Sequence, residues 1–136
     1  DWLGQDFPHL AAFNMHFIRF VMDELGIETE TALGSSYGVA GQRSEKIKGL
    51  LAATGATTYL SARGSYDYMK EDGVFEDYEV DLLFQDFHPP VYPQRQASEF
   101  VPYLSILDSL LQNGLERTKE TVLQGAGCYT SWDEME

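Results

Sequence analysis

The sequence predicts an α/β fold: a small, mostly parallel sheet flanked by helices, built like half of a larger α/β domain. Three observations carry this. Apolar residues recur at three- and four-residue steps in some stretches and at two-residue steps in others. The two kinds of stretch alternate along the chain, which favours parallel strands joined by right-handed helical crossovers. Only three strand-like runs are found, whereas a sheet usually has about five or six. A sheet that thin leaves an edge open and predicts a second polypeptide or a missing N-terminal half beside it.

Leu10, Phe13, Phe17, Phe20, Val21 and Leu25 mark the first amphipathic helix, which Gly26 stops. Ile27 to Leu33, with Thr29 and Thr31, reads as a strand. A Gly/Ser loop, Gly34 to Gly41, leads to a second helix over Gln42 to Thr54, with Ile47, Leu50 and Leu51 inward and Gly55 as its stop. Thr57 to Leu60 is a short strand, and Ser65 is placed to cap a short helix through Met69. Val80, Leu82 and Phe84 alternate with Asp81, Leu83 and Gln85, a strand covered mainly on one face. Ser98 is placed to cap a helix with Val101, Leu104, Leu107, Leu110 and Leu111 inward, Pro102 in its first turn and Gly114 at its end. A polar helix over Leu115 to Leu123 and a loose acidic tail, residues 124–136, complete the single domain, residues 1–136.

The 136 residues are 43% hydrophobic, with eight Phe, eight Tyr and two Trp, as in a folded globule and not a disordered chain. Nine Lys and Arg stand among 22 Asp and Glu, a net charge of −13. Nucleic-acid binding and attachment to an anionic membrane both need clustered basic residues, so neither is expected. The lone Cys128 allows no internal disulfide, and no Cys/His group has zinc spacing. No apolar run approaches the ~20 residues of a spanning helix, and no signal peptide is recognisable; the expectation is a cytoplasmic protein. The chain begins at Asp1 and not at Met, as a processed, truncated or cleaved piece would.

Ligands of open α/β sheets gather beyond the carboxyl ends of the strands. Three loops leave those ends: "GSSYG", "SARGS" and "HPPVYPQ". Ser61, Arg63, Gly64 and Ser65 precede a helix start, where backbone N–H groups hold anions and Arg63 adds a bidentate grip. An ordinary strand-to-helix turn uses the same residue types. No dinucleotide fingerprint or P-loop is present, and no cofactor is indicated. His88 is the candidate for acid–base work, because imidazole titrates near neutral pH. Tyr92 and Gln94 alternate on a proline-stiffened segment and are placed to enter one pocket. Ser105 and Asp108 share a helix face beside the leucine stripe; Asp108 is either a second proton-handling group or a half-buried acid bonded to loop donors. Cys128 has no activating neighbour in sequence.

The runs "GATTYLSARGSYDYM", "LLFQDFHPPVYPQ" and "FVPYLSILDSLLQNG", with the earlier "LAAFNMHFIRFVMDELGIET", resemble the C-terminal half of the WbqC-like family, over about Leu10 to Gly114. That bacterial family occurs in surface-polysaccharide and natural-product gene clusters. The resemblance implies a transferase that places an aminoacyl or other acyl group on a sugar or small metabolite. Its partners would be a small polar metabolite or an activated sugar or amino acid. The motif-matching polar positions are Tyr59, Ser61, Gly64, Tyr68, Gln85, Tyr92, Gln94, Ser105 and Asp108; with the loop reading, Ser61, Arg63, Gly64, Tyr68, Gln85, Tyr92, Gln94 and Ser105 are the expected ligand contacts and His88 and Asp108 the expected catalytic pair. The Gln-Pro motif with which family members begin has at most a faint echo in "DWLG", and "SARGS" stands where relatives carry extra glycine. Two other functions compete with transfer: a non-catalytic small-molecule-binding or protein-docking module, and hydrolysis by a side-chain base.

Overall fold

The computed structural model describes residues 4–76, 78–95 and 97–135. The "DWL" of the amino-terminal motif lies outside them. Helix α1 spans Leu10–Leu25. His9 caps it: His9 Nδ1 accepts from the Ala12 N–H at 3.1 Å. At the other end Gly26 adopts φ 70°. Its N–H donates to Asp23 O at 3.1 Å and the Ile27 N–H to Met22 O at 2.8 Å, the paired bonds of a Schellman motif.

The strand expected over Ile27 to Leu33 is not formed; the segment carries no regular structure. Threonine favours strands by packing against neighbours on a pleated surface, and no described strand lies beside it. Arg19 Nε donates to Thr31 Oγ1 at 3.2 Å instead. A single 3-10 turn, Gly34–Tyr37, leads to α2, Arg43–Thr54. Strand β1 covers Thr58–Ala62, and a 3-10 turn over Arg63–Ser65 enters α3, Tyr66–Asp72. Ser65 precedes α3 but does not cap it through its side chain; its hydroxyl donates back to Ala62 O at 2.6 Å.

Strand β2, Asp81–Gln85, pairs in parallel with β1, Thr58 opposite Asp81 and Ala62 opposite Gln85. On its other side β2 receives β3, Tyr129–Ser131, in antiparallel register, Leu83 opposite Ser131 and Gln85 opposite Tyr129. The sheet is therefore mixed, in the order β1-β2-β3. The acidic tail is not loose. Its backbone satisfies one edge of β2, and Trp132 packs at ring-centroid distances of 5.1 Å from Tyr66 and 6.0 Å from Phe84. Net charge alone hides this, because it does not register the aromatic packing of one tryptophan.

The core lies on one face of the sheet. Leu51 of α2, Tyr66 and Met69 of α3, Phe75, and Leu82 and Phe84 of β2 form its buried cluster, with Ile47, Tyr59 and Trp132 against it. Burial of each large side chain contributes about 1.5–3 kcal/mol. The opposite face, with Leu60 46% and Tyr129 53% exposed, is open. The parallel pair is thus covered on one side only.

Helix α4 spans Ile106–Gly125 and breaks at Gly114, which has φ 75° and ψ −179°. In a straight helix nine residues advance ~13.5 Å. Ser109 and Thr118 nevertheless touch, Oγ to Oγ1, at 2.9 Å. The two arms therefore fold sharply against each other, in line with a helix ending at Gly114 and another beginning at Leu115. The start differs from the expected Ser98. Pro102 holds Val101 extended, Tyr103 takes a φ of 60°, and Ser105 becomes the cap, its Oγ accepting from the Leu107 N–H at 3.3 Å. Gly125 is buried where the Phe87 ring lies against it; a Cβ there would sit 1.9 Å from Phe87 Cε2.

Candidate functional site

The structure sorts the sequence-predicted residues into two groups. The first stands at the carboxyl ends of β1 and β2. Arg63 Nη1, from the turn after β1, lies 3.1 Å from Asp86 Oδ1. His88 Nδ1, from the loop after β2, lies 3.1 Å from the Asp86 carbonyl and 3.8 Å from its Oδ2. Asp86 is thereby the hub of the group, a residue that sequence reasoning did not single out. The signal was present in "DFH", where an acid and a histidine two apart lie within reach in an extended chain. The Asp86 N–H is held by Cys128 O at 3.0 Å, so the position of the hub depends on the chain running into β3.

Half-buried Ser61 sits at the same strand ends, its hydroxyl against that of Ser65. Because Ser65 donates to Ala62 O, Ser61 is the donor within the pair. Gly64 is exposed, and a Cβ at that position would meet no atom within 4 Å. Gln85 is half-buried and paired on both sides, with Ala62 and Tyr129.

The second group is a clasp between the proline-rich loop and α4. The Tyr92 hydroxyl donates to Asp108 Oδ2 at 2.8 Å, Gln94 Nε2 to the same oxygen at 3.1 Å, and Gln112 Nε2 to Asp108 Oδ1 at 3.2 Å. Gln94 also holds the Val101 backbone, Nε2 donating to Val101 O at 2.9 Å and Oε1 accepting from the Val101 N–H at 2.8 Å. The Tyr92 hydrogen bond above all, then that of Gln112, hold the Asp108 carboxyl below the usual carboxylate range; partial burial opposes them and Gln94 adds to them. Burial first, and then the bond to Asp108, push the Tyr92 phenol up, against the bond from Gln94. Ser105 caps α4 at the start of the same arm.

The expected convergence of three loops is not found. Arg63 and Asp86 join two of them, but the Gly34–Tyr37 turn lies against α2, with Gly34 beside Leu50. Tyr92 and Gln94 do turn the same way, towards Asp108 and not towards Ser61 and Gly64. Tyr68, on α3, lies under the Arg43 guanidinium at 5.5 Å, and Arg43 is paired with Glu71 and Asp72. Among the described residues no group of three or more His, Cys, Asp or Glu is placed to hold a metal ion, and no helix is long and apolar enough to cross a membrane.

No curated protein and no solved structure matches the chain significantly. A model of one protein family matches residues 1–120, more of the chain than the quoted motifs span. The order of the strand-end loop, the proline-rich loop and the capped first arm of α4 is the order of those motifs, and the chain belongs to the WbqC-like protein family.

Proposed function

We propose that the chain serves a group transferase that moves an aminoacyl or other acyl group onto a sugar or other small metabolite, with Arg63, Asp86 and His88 as its working edge. The observation that carries this reading is Asp86. One carboxylate joins a guanidinium from the loop after β1 to an imidazole from the loop after β2, at the strand ends where ligands of such sheets gather.

The Asp86 carbonyl only accepts, so His88 Nδ1 carries the hydrogen and Nε2 the lone pair. Nε2 takes the proton from the acceptor's O–H or N–H as that atom attacks the carbonyl carbon of an activated donor. The new C–O or C–N bond forms, and the bond to the leaving group breaks with its electron pair. The imidazolium, stabilised by the Asp86 carboxylate, returns the proton to the leaving group. Arg63 has N–H groups beyond the one on Asp86 to hold an anionic leaving group. Ser61, Gly64 and Gln85 complete the proposed contact set. Tyr68, Tyr92, Gln94, Ser105 and Asp108 hold the frame.

The test is turnover on a panel of acyl phosphates, acyl thioesters and aminoacyl adenylates with hydroxyl and amine acceptors. His88→Ala should lower the rate by about 10²–10⁴-fold and leave thermal unfolding unchanged. Full turnover in His88→Ala would remove this mechanism. A non-catalytic binding module is the second reading, favoured by the 72% exposure of the His88 side chain; binding from the panel without turnover by the native chain selects it.

A second polypeptide is part of the proposal. β1 has a free edge, and exposed edges template pairing with another chain. Light scattering should give a mass above the 15.3 kDa of the chain; a monodisperse, cooperatively unfolding monomer counts against it.

A further inference from the structure

A cavity of about 160 Å³ lies between the proline-rich loop and the folded arms of α4. Phe87, Pro89 and Tyr92 form its loop wall, and Ile106, Thr118 and Val122 are prominent on its helical wall. His88, between Phe87 and Pro89 in sequence, is not on the wall and bonds Asp86 instead. The cavity is therefore separate from the cluster at the strand ends.

Four of the hydroxyl groups on the wall are committed elsewhere, and the other two, of Tyr103 and Ser105, belong to exposed residues. Tyr92 donates to Asp108 at 2.8 Å, Thr118 to Gly114 O at 2.8 Å and Thr121 to Arg117 O at 2.9 Å. Ser109 must then donate to Thr118. Ser105, which is exposed, accepts from the Leu107 N–H. No charged side chain lines the cavity. The surface left for a guest is mostly ring faces, methyl groups and methylenes. A dry apolar cavity of about 150 Å³ is large enough to take benzene. A charged group would give up hydration there without gaining a counter-ion.

We propose that this cavity is a binding site for an uncharged, benzene-sized apolar group, such as an aromatic ring or the hydrocarbon end of a short acyl chain. It stands independently of the chemistry assigned to Arg63, Asp86 and His88.

The test is methyl NMR of the full chain titrated with fluorobenzene, and separately with benzoate. Fluorobenzene should shift the methyls of Ile106, Thr118 and Val122 saturably, and benzoate should bind at least ~10-fold more weakly. Val21, Leu107 and Leu111 provide the control, since they line a larger apolar trough of about 520 Å³ between α1 and α4. Val122→Phe, which fills the cavity, should abolish the saturable shift at Ile106 while unfolding stays cooperative; if that variant does not fold, the map on the native chain decides alone. The proposal is overturned by shifts that do not saturate, by saturation first at the trough methyls, by benzoate binding as tightly as fluorobenzene, or by an unchanged affinity in folded Val122→Phe.

Discussion

Asp108 accepts three side-chain hydrogen bonds, and two of the donors, Tyr92 and Gln94, belong to the loop that the sequence marks as a pocket wall. Both ends of the Tyr92–Asp108 bond titrate. The Asp108 carboxyl is lowered in the folded chain, so its contribution to stability is complete above the ordinary aspartate value of about 3.9 and is lost as pH falls through the lower folded value. The Tyr92 phenol is raised, so its contribution is complete below about pH 10 and is lost as pH rises through the higher folded value. Unfolding temperature should therefore fall at both extremes. Asp108→Asn should shrink the acid limb, leaving the part due to Glu134, which Ser131 lowers, and should also soften the alkaline limb. Unfolding curves of the native chain and Asp108→Asn from about pH 2.5 to 11 check this; superimposable pH profiles would show that the clasp carries no linked stability. Asp108 is half-buried, as its place beside the leucine stripe predicts, but the loop and not the stripe covers it: Leu107 and Leu111 are 39% and 84% exposed. Tyr92 and Gln94 were not legible as its partners, because they reach it only once the loop has folded over α4, whereas Gln112 stands one turn on along the same helix.

At the scale of elements, periodicity located α1, α2 and β2, and the β-branched run at Thr57 located β1. Both signals failed where the deciding contact is distant in sequence. Thr29 and Thr31 look strand-like but find no partner, whereas the three residues of β3 are too few to show alternation and are strand only because β2 has a free edge. The sequence offers Ser98 as the cap of this helix, and the backbone at Pro102 and Tyr103 moves the start to Ser105. Gly114 is legible as a stop, but the sharpness of the fold it allows is not. That fold rests on Ser109, 5% exposed, and Thr118, fully buried. Thr118→Val leaves the Ser109 hydroxyl buried without its acceptor and should cost about 1–3 kcal/mol. The double variant Ser109→Ala/Thr118→Val should cost no more than Thr118→Val alone, a coupling of at least about 0.5 kcal/mol. Denaturant unfolding of the two single variants and the double variant measures it, and simple additivity would mean that the arms are not joined through this pair.

For the whole molecule, the tail links the core to the candidate site. β3 completes the sheet, Cys128 O holds the Asp86 backbone, and Trp132 closes the aromatic cluster with Tyr66, Phe75 and Phe84. The turn after β3 is fastened to it, because Glu134 accepts from the Ser131 N–H at 2.9 Å and from its hydroxyl at 2.8 Å. If the tail is part of the core, Trp132→Ala should cost roughly 3 kcal/mol, the lower end for a tryptophan truncated to alanine, since the ring is half-buried. Cutting the chain after Gly127 should cost at least as much, because it removes Trp132 and uncovers the edge of β2 together. The cut should also loosen Asp86, so that Arg63 and His88 lose their common partner even at temperatures where the shortened chain stays folded. Denaturant unfolding checks the first effect, and the backbone amide exchange of Asp86 checks the second. A tail that only solvates the chain, as its acidic composition alone would suggest, predicts changes within about ±0.5 kcal/mol for both variants and unchanged exchange at Asp86.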